Sequence, residues 1–169
     1  VKVGYRRYGS KEIGSTMTLE PYFVKLFNRR WYALVKFPEP DGALFTLAFD
    51  RIVYLELSDD KFVYDKDFNP AEWFKNCYGI VRNNDVPVEK VIIRAFGYEA
   101  NYLRDLPFHH SQKEIVTEDG YSDFEMTLSP TADLWAPLMS RGSTIKILQP
   151  QWLADKIKRL HFEAAKQYD

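Results

Sequence analysis

A chain of 169 residues that is 46% hydrophobic and 16% aromatic can bury a core of its own, which excludes a disordered polypeptide. Its formal charge of -1 is spread unevenly: residues 1–36 hold eight Lys and Arg against Glu12 and Glu20, and residues 37–89 hold five against eleven acids. The single cysteine, Cys77, excludes a disulfide framework and favours a reducing, cytoplasmic setting, and no apolar run nears the roughly 18 residues of a membrane span.

The chain opens Val1-Lys2-Val3, already in strand-like alternation and without Met, so an N-terminal part is expected to precede it. Residues 2–8 read as a first strand. Residues 19–27 and 30–37 are apolar-rich runs joined by Asn28-Arg29, a two-residue hairpin link. After Pro38-Glu39-Pro40-Asp41-Gly42 come strands over 43–49 and 52–57, and a short one over 62–64. So many short antiparallel strands predict a small β-barrel, which removes exposed edges.

The period then changes. Asn69 suits an N-cap, Pro70 the first helical position and Glu72 a capping box, so a helix is expected to run to Gly79. The polar stretch 81–87 (VRNNDVP) reads as a linker between a first domain, 1–80, and a second, 88–169.

In the second domain a strand over 88–96 leads to a helix over 98–105 that ends at Pro107. A hairpin around Asp119-Gly120 pairs 113–118 with 121–128, where Phe124, Met126 and Leu128 alternate with polar residues. A helix over 131–140 contains Pro137, which is expected to kink it or cut it short. A strand over 143–148 and a long helix opened by Pro150 complete the chain. The order βαββαβ plus a terminal helix is a ferredoxin-like pattern. The fold class expected is therefore α+β: a small SH3/Sm-like β-barrel, then a ferredoxin-like domain with a C-terminal helix.

On the strand 30–37, Trp31, Ala33, Val35 and Phe37 share one face, read as core, while Arg30, Tyr32, Leu34 and Lys36 share the other. Trp31 is therefore expected to be structural, and Arg30 sits beside Tyr32 as a cation next to an aromatic. Tyr5-Arg6-Arg7-Tyr8 repeats the theme. Interleaved cations and rings suit single-stranded nucleic acid, phosphates on the one and bases on the other. They equally suit an edge strand guarded by arginines. Arg51, next to Asp50, fits either a pocket or a structural ion pair.

His109-His110-Ser111 invites a catalytic or metal reading, but adjacent His side chains on an extended loop point apart, and no second ligand motif or nucleophile elbow accompanies them. The loop is read as packing against the neighbouring helix, the chain as no enzyme, and no catalytic residue, metal or cofactor is assigned.

Arg30-Trp31-Tyr32-Ala33-Leu34 after a basic hairpin, with Tyr5-Arg6 and Pro21-Tyr22 before it and Phe49-Asp50-Arg51-Ile52 after it, resembles the WYL domain. The second half resembles the C-terminal extension that follows such domains, through residues 102–112 (YLRDLPFHHSQ) and 148–153 (LQPQWL). The resemblance implies an Sm-like, SH3-type barrel C-terminal to a helix-turn-helix domain in bacterial transcriptional regulators, many tied to DNA damage or phage defence. It implies a barrel that senses single-stranded nucleic acid or a nucleotide-like anion, and an extension tied to dimerisation and relay. Carried onto this sequence, Tyr5, Arg6, Arg30, Tyr32 and Arg51 become the ligand-binding residues, with Trp31 and Leu34 holding the barrel.

Two departures stand out. Ala33 displaces the name-giving leucine by one place, and residues 44–48 (LFTLA) lack an arginine that many relatives carry there, so the ligand should be held more weakly or be smaller. The expected partners are the effector, double-stranded DNA through the preceding domain, and a second copy in a homodimer, with no membrane involved. The alternative is an adaptor that works through its dimer surface without a ligand.

Overall fold

A computed structural model describes residues 1–168, leaving Asp169, the last residue of the expected second domain, outside the described residues. The chain divides into two compact units, Val1–Pro70 and the remainder from Ala71.

In the first unit β1 (Lys2–Tyr5) lies between β2 (Met17–Thr18) and β6 (Ile52–Glu56), and β4 (Arg30–Lys36) lies between β3 (Glu20–Phe27) and β5 (Leu44–Ala48). Both sheets are antiparallel and three-stranded, and they do not close into the barrel expected from the run of short strands. They share one small core, where Val3 of β1, Leu19, Val35 of β4 and Leu47 of β5 meet. Gly4 is part of that packing, since a Cβ there would fall 2.2 Å from the Tyr54 ring.

The hairpin between β3 and β4 forms as expected. Asn28 and Arg29 both have positive φ, 47° and 64°, as a two-residue type I′ turn requires. Burial along β4 does not follow simple alternation. Leu34 and Val35 are both buried, so the strand is covered on both sides at its middle. Trp31, expected in the core, is 51% exposed, and Phe37 is 36% exposed. The shared core closes around Val35, whereas Trp31 sits beside the turn opposite Leu26, itself largely exposed. Phe37 instead stacks on Phe45 at 5.0 Å. The expected strand at 62–64 is irregular chain. Phe62, Tyr64 and Phe68 bring their rings around Tyr22 at 5.1 to 6.0 Å.

α1 (Pro70–Phe74) is shorter than the sequence suggests, because beyond it the backbone is tied to the second unit's sheet. Cys77 bridges Ser129, Ser129 N–H donates to Asn76 O, and Asp133 Oδ2 accepts the N–H groups of Ile80 and Val81 at 2.9 and 3.1 Å.

In this unit β7 (Glu89–Phe96), β9 (Tyr121–Leu128), β8 (Lys113–Glu118) and β10 (Ile145–Gln149) form one antiparallel sheet in the order β10-β7-β9-β8. Val91, Ile93 and Ala95 pair with Met126, Phe124 and Ser122, and α2 (Glu99–Asp105), α3 (Ala132–Ser140) and α4 (Gln151–Ala165) bury Leu103, Leu134, Leu138, Leu153 and Ile157 in the same core. α3 is helical through Pro137 rather than cut at it.

Candidate functional site

Two local events in the first unit bring the arginines together. β1 stops at Tyr5, three residues short of the expected end, and the chain turns. The alternation that would have sent Arg6 and Arg7 to opposite faces is lost, and both reach one cleft. On the other side a single 3-10 turn, Phe49–Arg51, links β5 to β6 and sets Asp50 and Arg51 opposite the start of β4, where Arg30 is the first residue. The two walls are joined where Arg51 O accepts the Arg6 N–H at 3.0 Å.

The resulting cleft has a volume of about 260 Å³ and is lined by Arg6, Arg7, Tyr8, Arg30, Asp50 and Arg51 among others. Arg30 Nη2 donates to Asp50 Oδ2 at 2.5 Å. That bond raises the Arg30 pKa and lowers that of Asp50, so both remain charged across the neutral range. Arg30 also lies over Tyr32, 5.8 Å from the ring centre. The Arg51 guanidinium stands 5.2 Å from the ring centre of Tyr8, and its Nε is buried without a hydrogen-bond partner among the described residues. A buried, unbonded N–H of a permanent cation costs free energy.

The five candidates from the sequence are thus only partly brought together. Arg6, Arg30 and Arg51 line the cleft. Tyr5 points into the small core, its hydroxyl accepting the Ala48 N–H at 3.2 Å, and Tyr32 lies beneath Arg30. Arg7, Tyr8 and Asp50, which are not among the five, also line it. The signal for Arg7 and Tyr8 was present in the run Tyr5-Arg6-Arg7-Tyr8. A continuous strand over that run would put the two arginines on opposite faces, whereas β1 ends at Tyr5.

His109 is placed in a structural network in the second unit. A carbonyl only accepts, so its Nε2 carries the proton and donates to Lys75 O at 2.9 Å, leaving Nδ1 to accept from Ser111 Oγ at 2.7 Å. Ser111 Oγ accepts the Thr127 N–H at 2.9 Å, which fastens the loop to β9. Burial, then the neighbouring His110, push the His109 pKa down. Among the described residues no group of three or more His, Cys, Asp and Glu side chains is placed to hold a metal, and no helix is long and apolar enough to cross a membrane.

No curated protein matches the sequence significantly. Among solved structures the chain is similar to the proteasome accessory factor B/C (PafBC) of Arthrobacter aurescens, at 19% identity and a TM-score of 0.37, over 92% of this chain but 23% of that one. Two domain families match the sequence itself: the WYL domain over residues 1–57, which contains the arginine cleft, and the WCX domain over residues 87–165, which contains the four-stranded sheet. The chain thus contains a WYL domain followed by a WCX domain.

Proposed function

We propose that this chain is the effector-sensing and dimerising region of a bacterial transcriptional regulator, and that the arginine cleft binds single-stranded nucleic acid or a nucleotide-like anion. The observation that carries the reading is the gathering of Arg6, Arg7, Arg30 and Arg51 at one cleft, where the buried Arg51 Nε has no hydrogen-bond partner among the described residues. Four guanidiniums against one carboxylate leave the cleft with an excess of three positive charges. The planar fork of each arginine suits bidentate contact with phosphate oxygens. Tyr8, 87% exposed, can offer a ring to a base without leaving the core. A cleft of about 260 Å³ admits a phosphate group with part of its sugar, so longer strands would run out across the surface.

The wider architecture fits the same role. The strand order β10-β7-β9-β8, with helices joining β7 to β8 and β9 to β10, supports a ferredoxin-like reading of the second unit. The two sheets around Val3, Val35 and Leu47 support an Sm-like reading of the first, opened rather than closed. Double-stranded DNA would be bound by a preceding helix-turn-helix domain, and a cytoplasmic homodimer would relay occupancy of the cleft to it.

Fluorescence anisotropy with a labelled thymidine hexanucleotide tests the site. Binding should be saturable, weaken steeply with salt, and fall at least tenfold in Arg51→Ala and Arg6→Ala. Unchanged affinity in both variants overturns the cleft assignment. A stable dimer that binds no nucleotide or oligonucleotide would favour the adaptor role instead.

A further inference from the structure

The second unit contains an open groove of about 550 Å³ that shares no residue with the arginine cleft. One wall is β10, the outermost strand of its sheet, paired among the described residues with β7 alone. Residues 145–148 all line the groove. Consecutive strand side chains point to opposite faces, so a groove touched by four in succession runs along the backbone edge. The other wall is α4, which packs along β10 and contributes Gln151, Ala154, Asp155, Lys158 and His161. Their spacing of three, one, three and three is one helical stripe, next to the stripe of Leu153 and Ile157 that enters the core.

From Gln151 to His161 the stripe spans about 15 Å at a rise of 1.5 Å per residue. That length matches four or five residues of extended chain at about 3.3 Å each. Ile145 and Ile147, with Leu138 and Ile157, provide an apolar floor. The rim is basic: Lys146 and Lys158 are exposed and, among the described residues, have no ion-pair partner. The one acid, Asp155, accepts a hydrogen bond from Gln151 Nε2 at 2.9 Å.

We propose that this groove takes an extended peptide segment of a partner protein, in which acidic residues alternate with β-branched apolar ones, as a fifth strand on β10. The open backbone edge supplies the main-chain hydrogen bonds, and the floor takes alternate apolar side chains. Lys146, on the sheet's outer face opposite to Ile145 and Ile147, faces the acids, and Lys158, on the helix, adds a longer-range attraction along the rim. A second copy of this chain is a poor occupant, since its β10 would bring another Lys146 and Lys158 to a rim that is already positive. A nucleic acid strand would find cations but, apart from the imidazole of His161, no aromatic ring in the groove lining on which to stack.

The test uses the full chain and a fluorescein-labelled peptide, Glu-Val-Glu-Ile-Glu-Val-Glu. Saturable binding is expected, with at least tenfold loss when Lys replaces Glu in the peptide and in the Lys146→Glu, Lys158→Glu protein, whose melting should be unchanged because both sites are exposed. A strand pairs through one edge at a time, so N-methylation of one alternate set of peptide amides should abolish binding and of the other set should not. Amide exchange in β10 should slow on binding. The inference is overturned if no saturable binding occurs or if both N-methylated peptides bind equally well, which would leave charge attraction alone. It is also overturned if hexathymidylate displaces the peptide at equal concentration, or if the groove variant proves to have broken a homodimer.

Discussion

Arg30 reaches from the first residue of β4 to Asp50 in the turn before β6, and this 2.5 Å ion pair sets the only acidic side chain of the cleft against one of its four arginines. The carboxylate therefore competes with any anion for Arg30. Replacing it with the neutral isostere, Asp50→Asn, raises the excess charge of the cleft and frees that guanidinium. Affinity for a thymidine hexanucleotide is expected to rise about three- to tenfold at low salt. The advantage should disappear near 1 M salt, where the screening length is about 3 Å. The slope of log affinity against log salt should steepen by about 0.7, the value for one further phosphate neutralised on a single strand. Anisotropy titrations at several salt concentrations measure all three. Weaker binding in the variant would mean that Asp50 holds Arg30 in its binding position.

The hairpin that delivers Arg30 contains backbone strain. Arg29 at φ 64° lies in the left-handed region, which costs an L-residue roughly 1–2 kcal/mol, and only part of that is returned by the restricted unfolded chain. Arg29→Gly is expected to raise stability by up to about 1 kcal/mol in urea unfolding. Asn28→Gly should gain less, because asparagine tolerates this conformation. Nucleotide affinity should stay within about twofold in Arg29→Gly, since Arg29 does not line the cleft.

Most elements of the second unit could be read from the sequence because local rules agree there. Asp119-Gly120 between two alternating runs fixes the hairpin, and residues 113–118 and 121–128 are the strands observed. The first unit was less legible. Its core is small, so the apolar face of β4 extends beyond what can be covered, and the sequence does not tell Trp31 from Val35. The cleft was legible as composition but not as geometry. Arg6, Arg30 and Arg51 stood out as cations beside aromatics, yet their meeting depends on β1 ending at Tyr5 and on the 3-10 turn at Asp50. The 3-10 turn is marked by no Gly or Pro, and the only local sign at the end of β1 is Gly4, beside the register shift between Gly4 and Tyr5.

Trp31 and Val35 make that contrast measurable. Both lie on the face of β4 read as core, but Val35 is buried at the centre of the shared cluster and Trp31 stands beside the turn. Val35→Ala should cost about 2 kcal/mol from lost burial and the space left behind. Trp31→Ala should cost less than about 1 kcal/mol, despite removing the larger side chain. Denaturant melts of the two variants check the order. A larger loss at Trp31 would mean that its exposed ring is covered in the folded protein.

Acid should destabilise the fold in two separate steps. His109 is held below its ordinary pKa of 6.5 by burial and by His110, so as pH falls the unfolded chain takes up that proton first. Stability from this group is complete above pH 6.5 and is lost as pH drops through the lower folded value. His109→Gln should flatten that window at some cost near neutral pH, because glutamine cannot both donate to Lys75 O and accept from Ser111 in the same geometry. Glu114 acts further down the scale. Arg104 hydrogen-bonds both its oxygens, at 2.9 and 2.5 Å, and holds its pKa at about 2 against an ordinary 4.5. Its folded-state value is depressed, so the stability it adds is present above pH 4.5 and lost between there and about 2. Glu114→Gln should lower stability at neutral pH and make the acid limb of the curve shallower, leaving the His109 step below pH 6.5 in place. Melting temperatures between pH 2 and 8 for the parent and both variants separate the two groups. A parent curve that is flat from pH 7 to 5 would remove His109 from the account.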